Sequence, residues 1–384
     1  KDKGQVAAKF AIKCFDELWY EYRKGHHIKY KAKNEAMEEV KRGLAKASTP
    51  KGEYAVLEGD GSAWDACCNA KIRDDTENII LYHITRVLMD HPLFIAALGD
   101  AHMEINTKQK FKLRSAAGTK HIVAAIRRSG HAGTSGLNGF INAFLWAHVL
   151  THEPIKYLNG ARVASRWHKP GTHDAVLPAI DWFEGDDSIL KVPVTLKEHE
   201  QMIQDLWKKF GFNMKLFFRV DEVATFTGFD FSVESGHTSG FLCPSIRRNI
   251  VSSCFTTSTI ARLAWRDGKK TDVHDVGSAA FLARAIAFEK ECPPLANAFL
   301  CLSEYHRQEG TSAALPDELI LHKGAEATFE ETALRIRANV RPHSDQEAAF
   351  WAASAGPEWG PKIPLLQAFE RLDAYAPHFV DTAG

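Results

Sequence analysis

Apolar positions recur at near-helical spacing at the start of the chain, where Val6, Phe10, Phe15 and Leu18 predict helix through most of residues 1–48. Pro50-Lys51-Gly52 breaks that pattern, and Tyr54-Ala55-Val56-Leu57 then reads as a short buried strand ending at Glu58-Gly59-Asp60. A helix is predicted from about 66 to 89, stopped by His91-Pro92. Residues 104–128 alternate polar and apolar and read as strands. Leu137, Ile141, Phe144, Leu145 and His148 form one stripe of a second helix over about 134–151, and residues 152–175 are punctuated by Gly and Pro like a loop with short strands. Two apolar runs, 176–180 and 189–194, flank Gly185-Asp186-Asp187 and predict a β-hairpin. A helix over 196–210 ends at Gly211, a common C-cap residue. Residues 212–231 again read as strand. After Phe241 helices are predicted at about 254–267, 274–290, 293–307, 325–338 and 363–375. There is no internal repeat, and the order predicts an α+β core followed by a helical domain.

Composition narrows the class more than it defines it. With 384 residues, 45% hydrophobic and 25% charged, the chain is long enough for a large core and two or three subdomains. Its net charge is zero, so any nucleic-acid site must come from local clustering of Lys and Arg. The longest nearly apolar run, Phe140–Leu150, is too short to span a bilayer, and the charged N-terminus carries no signal-peptide pattern. Seven cysteines without C-x-x-C spacing argue against a disulfide framework or a structural zinc site and favour a reducing compartment.

The candidate chemistry is acidic. Asp186-Asp187 at a hairpin tip fixes negative charge at one point, which suits hard cations such as Mg²⁺. Gly-Asp-Asp occurs by chance in roughly one chain in ten of this length, and a solvated polar turn explains it equally simply. Asp60 ends the first buried strand and Asp65 follows five residues later, where it could equally cap a helix beginning at Ala66. Ser129-Gly130, Thr134 and Asn138 give S-G-x-x-x-T-x-x-x-N, a pattern expected by chance in well under about one chain in a hundred. Thr134 and Asn138 share one helix face.

In this order the three elements resemble the palm motifs of viral RNA-dependent RNA polymerases. Gly59-Asp60-Gly61-Ser62-Ala63-Trp64-Asp65 resembles motif A, Ser129 to Asn138 motif B, and Gly185-Asp186-Asp187 motif C. The helix over 196–210 with Gly211-Phe212-Asn213-Met214-Lys215 resembles motif D, and Thr225-Phe226-Thr227-Gly228-Phe229 more loosely resembles motif E. The resemblance points to positive-strand RNA viruses, on the tombus-, noda- or flavi-like side. It implies an α+β right-hand polymerase: partial fingers over 1–52, palm over 53–90 and 129–240, a fingers insertion over 91–128 and a helical thumb over 241–384. It further implies template-directed RNA synthesis from ribonucleoside triphosphates by two-metal phosphoryl transfer, with Mg²⁺ as cofactor and Mn²⁺ as substitute. Asp60, Asp186 and Asp187, with the carbonyl of Gly61, are the implied metal ligands. Lys215 is the candidate proton donor to the leaving pyrophosphate. Asp65 and Asn138 are implied to read the ribose 2′-hydroxyl, supported by Ser129, Gly130 and Thr134. Arg127, Arg128, Arg247 and Arg248 are candidate RNA contacts, although a solvated face explains each singly. Implied partners are template and nascent RNA, ribonucleoside triphosphates and other viral replication proteins. The implied location is the host cytoplasm, at membrane-associated complexes reached through regions or partners outside this chain, which itself shows no transmembrane segment.

One departure stands out. The basic fingers motif expected upstream of motif A is missing, and the stretch Arg23, Lys24, His26, His27, Lys29, Lys31, Lys33 is a poor substitute by position; an N-terminal truncation is the expectation. Glu184 adds a third carboxylate beside the turn. Two other functions stay open: a catalytically weak, polymerase-like RNA-binding scaffold of a replication complex, and a metal-dependent phosphohydrolase, which has no need of the Thr134 and Asn138 spacing.

Overall fold

The computed structural model describes residues 2–46, 53–88, 90, 110–114, 120–124, 133–150, 152, 163–164, 177–178, 180–254, 265–266, 269–270, 272–310 and 329–356. It is a mixed helix and sheet structure whose larger sheet is antiparallel. The chain divides into two compact units, residues 1–227 with 233–239, and residues 228–232 with 240–384.

The first unit is built on four strands in the order β6 (Ile180–Glu184), β7 (Asp187–Pro193), β1 (Tyr54–Ser62) and β8 (Asn213–Arg219). All pairings are antiparallel, with Leu57 opposite both Leu190 and Phe218. Central position explains why Tyr54–Leu57 reads as an unbroken apolar run: both faces of β1 are covered there. Side chains alternate across a strand, so Leu57, Leu190, Leu216 and Phe218 share one face. They pack with Phe140, Ile141 and Trp146 of the long helix Thr134–Leu150 and with Leu206 and Trp207 of the helix Glu200–Lys209. The helix Asp2–Tyr22 (α1) adds Ala11, Phe15 and Trp19 to the same core, and the helix Glu77–Leu88 adds Leu81 and Ile84. On the opposite face the helix Lys33–Ala45 (α2) buries Ala36, Met37, Val40 and Leu44. Gly43 lets it lie against Trp182, whose ring an added Cβ would strike.

A buried lysine joins α2 to the sheet. Lys191 on β7 is 5% exposed, and its ammonium donates to the carbonyls of Leu44 (2.6 Å) and Lys46 (2.5 Å) at the end of α2 and meets Nδ1 of His237 at 2.6 Å. Burial pushes its pKa down to about 8, the direction expected for a desolvated ammonium.

Several sequence expectations need correction. The predicted helix over 66–89 is three short pieces, Trp64–Cys67 (α3), Ala70–Asp75 (α4) and Glu77–Leu88 (α5). Asn69 interrupts it by capping α4 with its side-chain oxygen on Ile72 N at 3.2 Å. Asp65 does not cap the helix: Ala63 occupies that position, and Asp65 lies within the first turn. On α1 the predicted stripe holds at Phe15, which is buried with Ala11, Ile12 and Trp19, but fails at Phe10 and Leu18, which are over 60% exposed. The stripe predicted for 134–151 holds at Leu137, Ile141 and Leu145, but Phe144 and His148 are exposed. Strands are described only at 110–114 and 120–124 within the predicted 104–128. The expected helix over 196–210 opens with a 3₁₀ segment, Val194–His199.

Strands at Val223–Phe226, Phe229–Glu234 and His237–Pro244 follow β8. Thr227 and Gly228, φ 48° and 80°, make the tight turn between the first two, a two-residue hairpin geometry with both central residues left-handed. The second unit is mainly helical: Ile246–Cys254, Val273–Phe288, Pro293–Glu309, Phe329–Ala338 and Asp345–Ala355. Phe281, Phe288 and Phe299 stack between the second and third of these. Buried Asp230 accepts from Ser354 Oγ at 2.6 Å, and the same hydroxyl accepts from Ile246 N at 3.0 Å. The helix predicted over 254–267 is overturned at its end, where Trp265–Arg266 pairs as a strand with Lys269–Lys270. The helices at 246–254 and 345–355 were not predicted, and the helix predicted over 363–375 lies outside the described residues. Among the described residues no helix is long and apolar enough to cross a membrane.

Candidate active site

The acidic hairpin forms as a two-residue turn. Glu184 pairs with Asp187, leaving Gly185 and Asp186 at the tip. Gly185 takes φ +62°, a left-handed conformation that glycine adopts without steric cost. The β1–β7 ladder ends at Gly59 opposite Ser188. The next positions are Asp60 and Asp187, so the ends of two adjacent strands carry a carboxylate each, beside Asp186 on the turn. Asp60 lies opposite Lys215 in the β1–β8 ladder, on the sheet face away from the aromatic core, and the Lys215 ammonium stands 3.7 Å from Asp60 Oδ2 with both side chains about half exposed.

Glycine is required on the covered side of the same strand. An added Cβ at Gly59 would collide with Ser188 Oγ and lie 3.2 Å from the Trp146 ring, and one at Gly61 would collide with the Trp64 ring. After Gly61 the chain turns through Ala63, held at φ 52° and ψ 41°. A non-glycine residue there stores on the order of 1 kcal/mol or more of strain, and the turn delivers Asp65 to the helix Thr134–Leu150 (α6).

That helix is the organising element. Asn138, 3% exposed, donates from Nδ2 to Asp65 Oδ1 at 3.0 Å, while its Oδ1 faces the Cys68 thiol at 3.7 Å. Four residues on, Asn142 donates to the carbonyls of Gly185 (3.2 Å), Asp186 (3.0 Å) and Asp187 (3.3 Å). Four further, Trp146 Nε1 donates to Ser188 Oγ at 3.0 Å, and that hydroxyl donates to the Gly59 carbonyl at 3.1 Å. Residues four apart lie on one helix face, so a single stripe touches both acidic strands.

A cavity of about 730 Å³ opens beside this stripe, lined by Ala63, Trp64, Asp65, Ala66, Thr134, Ser135, Asn138, Glu184, Gly185 and Asp186. The predicted residues Asp65, Thr134, Asn138 and Asp186 therefore share one cavity. Asp60, Gly61, Asp187 and Lys215 lie on the neighbouring strands but do not line it. Ser129, Gly130, Arg127 and Arg128 lie outside the described residues. Arg247 and Arg248 are exposed on the helix Ile246–Cys254 of the second unit.

Three residues of the basic stretch after α1, Arg23, Lys29 and Lys31, are ion-paired within this unit. Arg23, 2% exposed, donates to Asp181 Oδ1 at 2.5 Å, and His26 Nδ1 lies 3.1 Å from the Asp181 carbonyl. Lys29 pairs with Glu184, which also accepts from Ser135 Oγ, and Lys31 pairs with Glu39. Asp16, near this cluster, is pushed up to about 6 by burial; Lys29 opposes that shift and Glu184 adds to it.

The donor set suits a hard divalent cation: carboxylates from two strands and a turn, oxygen only, with an ammonium already on Asp60. Among the described residues no cluster of three or more His, Cys, Asp or Glu side chains is arranged as a ready-made metal site. Asn142, Trp146 and Ser188 were missed from sequence, and Lys29 was named only within the basic stretch, without its partner Glu184. The available signal was Asn142 itself, a polar residue within the apolar run 140–150 at the spacing that already links Thr134 and Asn138.

No protein-family model matches the chain, and no curated protein matches it. Among solved structures, the crystal structure of the insertion loop deletion mutant of the RNA-dependent RNA polymerase of a human picorbirnavirus aligns with a TM-score of 0.39 and 13% sequence identity. The alignment covers 72% of this chain and 48% of that one, so the chain spans about half the length of that structure. A likeness this slight carries no functional weight; the site's own geometry does.

Proposed function

We propose that the first unit is the palm of a template-directed RNA polymerase that adds ribonucleotides to a growing strand. The observation that carries this reading is the convergence of three segments far apart in sequence, Asp65, Thr134 with Asn138, and Gly185-Asp186, on one cavity. Chance acidic or Gly-rich turns have no reason to meet there. A metal-dependent phosphohydrolase has no use for the Asn138–Asp65 contact at 3.0 Å. A ribose-reading pair does, because the 2′-hydroxyl both donates and accepts.

In this reading Asp60 and Asp186, with Asp187 auxiliary, would hold two Mg²⁺ ions, which would supply positive charge against that building on the reacting phosphate. The chain's own groups do the rest. The cavity wall carries Asp65, Glu184 and Asp186, which would repel a triphosphate unless neutralised. Glu184 is already neutralised by Lys29 and held by Ser135. Asn138 presents its amide beside the Asp65 carboxylate for the 2′-hydroxyl. Lys215 holds the proton destined for the leaving pyrophosphate. Arg247 and Arg248 contribute phosphate contacts and salt dependence. The right-hand arrangement, with the second unit as thumb, the viral origin and the replication-complex setting belong to this proposal as well.

The test is primer extension on an RNA template with Mn²⁺ and ribonucleotides, comparing the chain with Asp186→Ala. Template-dependent product that vanishes in the variant is expected. RNA binding without product from either chain would favour the scaffold function, and product from both would reject Asp186 as a catalytic residue.

A further inference from the structure

Asn142 is the best-buried polar residue at the acidic turn, at 0% exposure. Its amide is shared among three consecutive carbonyls, those of Gly185, Asp186 and Asp187, at 3.0–3.3 Å, although an amide carries only two hydrogens to donate. Among the described residues its own Oδ1 is buried without a partner. An unpaired buried oxygen is a cost to folding, so packing alone does not favour asparagine here. Helix and hairpin meet at close range: a Cβ built on Gly139 would touch Gly185 N at 3.5 Å and the Phe183 carbonyl at 3.6 Å, ordinary contact distances.

We propose that Asn142 is a positioning residue for the cation-binding carboxylates, fixing the Gly185-Asp186-Asp187 backbone with its carbonyls toward the helix. This rests on the polymerase reading of the site. With those carbonyls directed at the helix amide, a cation at the turn would meet the carboxylates of Asp186 and Asp187. An amide suits the task where other groups do not. Aspartate would set a negative charge against three carbonyl oxygens, serine has one proton to donate, and leucine has none. The Trp146–Ser188–Gly59 chain acts one step along, locking β7 to β1 immediately before Asp60 and Asp187. Asn142 and Trp146 together therefore hold both acidic strands to one helix face.

The experiment is calorimetric titration of the full chain with Mn²⁺, comparing wild type with Asn142→Leu, which keeps side-chain bulk and helix propensity but removes the donor. Asp186→Ala serves as the control that defines the site. Loss of a residue that orients metal ligands typically weakens metal binding about 10–100-fold, and at least a tenfold weakening is expected in folded Asn142→Leu. The Mg²⁺ concentration for half-maximal primer extension should rise by the same factor. A lower melting temperature with Mn²⁺ affinity within twofold of wild type would overturn the proposal and leave Asn142 a structural residue. Should Asn142→Leu not fold, Asn142→Ser is titrated instead, with the same two outcomes. A wild-type chain with no Mn²⁺ binding that Asp186→Ala removes would overturn the polymerase reading itself, and this proposal with it.

Discussion

Two ion pairs in the first unit join the same kinds of groups and have opposite value. Arg23 and Asp181 meet at 2.5 Å with side chains 2% and 3% exposed. Lys215 and Asp60 stand 3.7 Å apart with side chains 59% and 49% exposed. The first pair is sealed where the end of α1 meets β6, against the Phe183 ring. The second lies on the opposite face of the same sheet, open to water. A buried pair cannot lose one partner without stranding the other's charge. A solvated pair contributes little to folding, so its members can exchange each other for a cation or a phosphate. Side-chain alternation on β1 and its neighbours puts the sealed pair on the face of the aromatic core and the solvated pair on the other, beyond the part that α2 covers.

The sharpest way to break this comparison is to remove one cation from each pair. Arg23→Met should destabilise the chain by about 3–5 kcal/mol, and Lys215→Met by under about 1 kcal/mol once solvent screening is allowed for, both read by urea unfolding. Equal losses would erase the distinction. Next in size is the effect on rate: on the proposed polymerase reading, Lys215→Met should slow nucleotide addition about a hundredfold with little change in the KM for nucleotide. An unchanged rate would show that Lys215 is only a surface partner of Asp60.

Gly59→Ala probes the covered face alone. The added methyl must displace Ser188 Oγ, Met214 or Trp146, an overpacking expected to cost about 1–3 kcal/mol. A variant as stable as wild type would mean that the Trp146–Ser188 chain yields easily.

The last effect is one of pH. Burial raises Asp16 from 3.8 to about 6. Between those values the folded chain holds a proton that the unfolded chain has released. Stability therefore falls as pH rises from about 4 to 6 and is regained on acidification. Asp16→Asn should flatten the melting temperature across that window, and an unaltered slope would assign the dependence to another group.

What could be read from sequence was local. Strand β1, the acidic hairpin and α6 each declare themselves in an unbroken stretch of pattern, and Asp65 and Asn138, named together from sequence, lie 3.0 Å apart. What could not be read depended on partners far along the chain. Arg23 sits in a run of basic residues that looks solvated, and its ion-pair partner Asp181 lies 158 positions away. The α1 stripe held at Phe15 but not at Phe10 and Leu18, which are as apolar as the residues beside them, and periodicity alone does not say which face meets the core. The helix over 66–89 was broken by Asn69, whose side chain does locally what a continuous helix would forbid.

The polar stripe on α6 also decides which inherited changes this chain can tolerate. Replacing Phe144 or His148, both exposed, leaves the pitch of the helix untouched. A single residue gained or lost between Asn138 and Trp146 would swing everything beyond it by about 100°, carrying Asn142 or Trp146 off the acidic strands in one step. Descendants of this sequence should therefore vary freely in residue type on the outer side of α6 while keeping its length between those positions fixed.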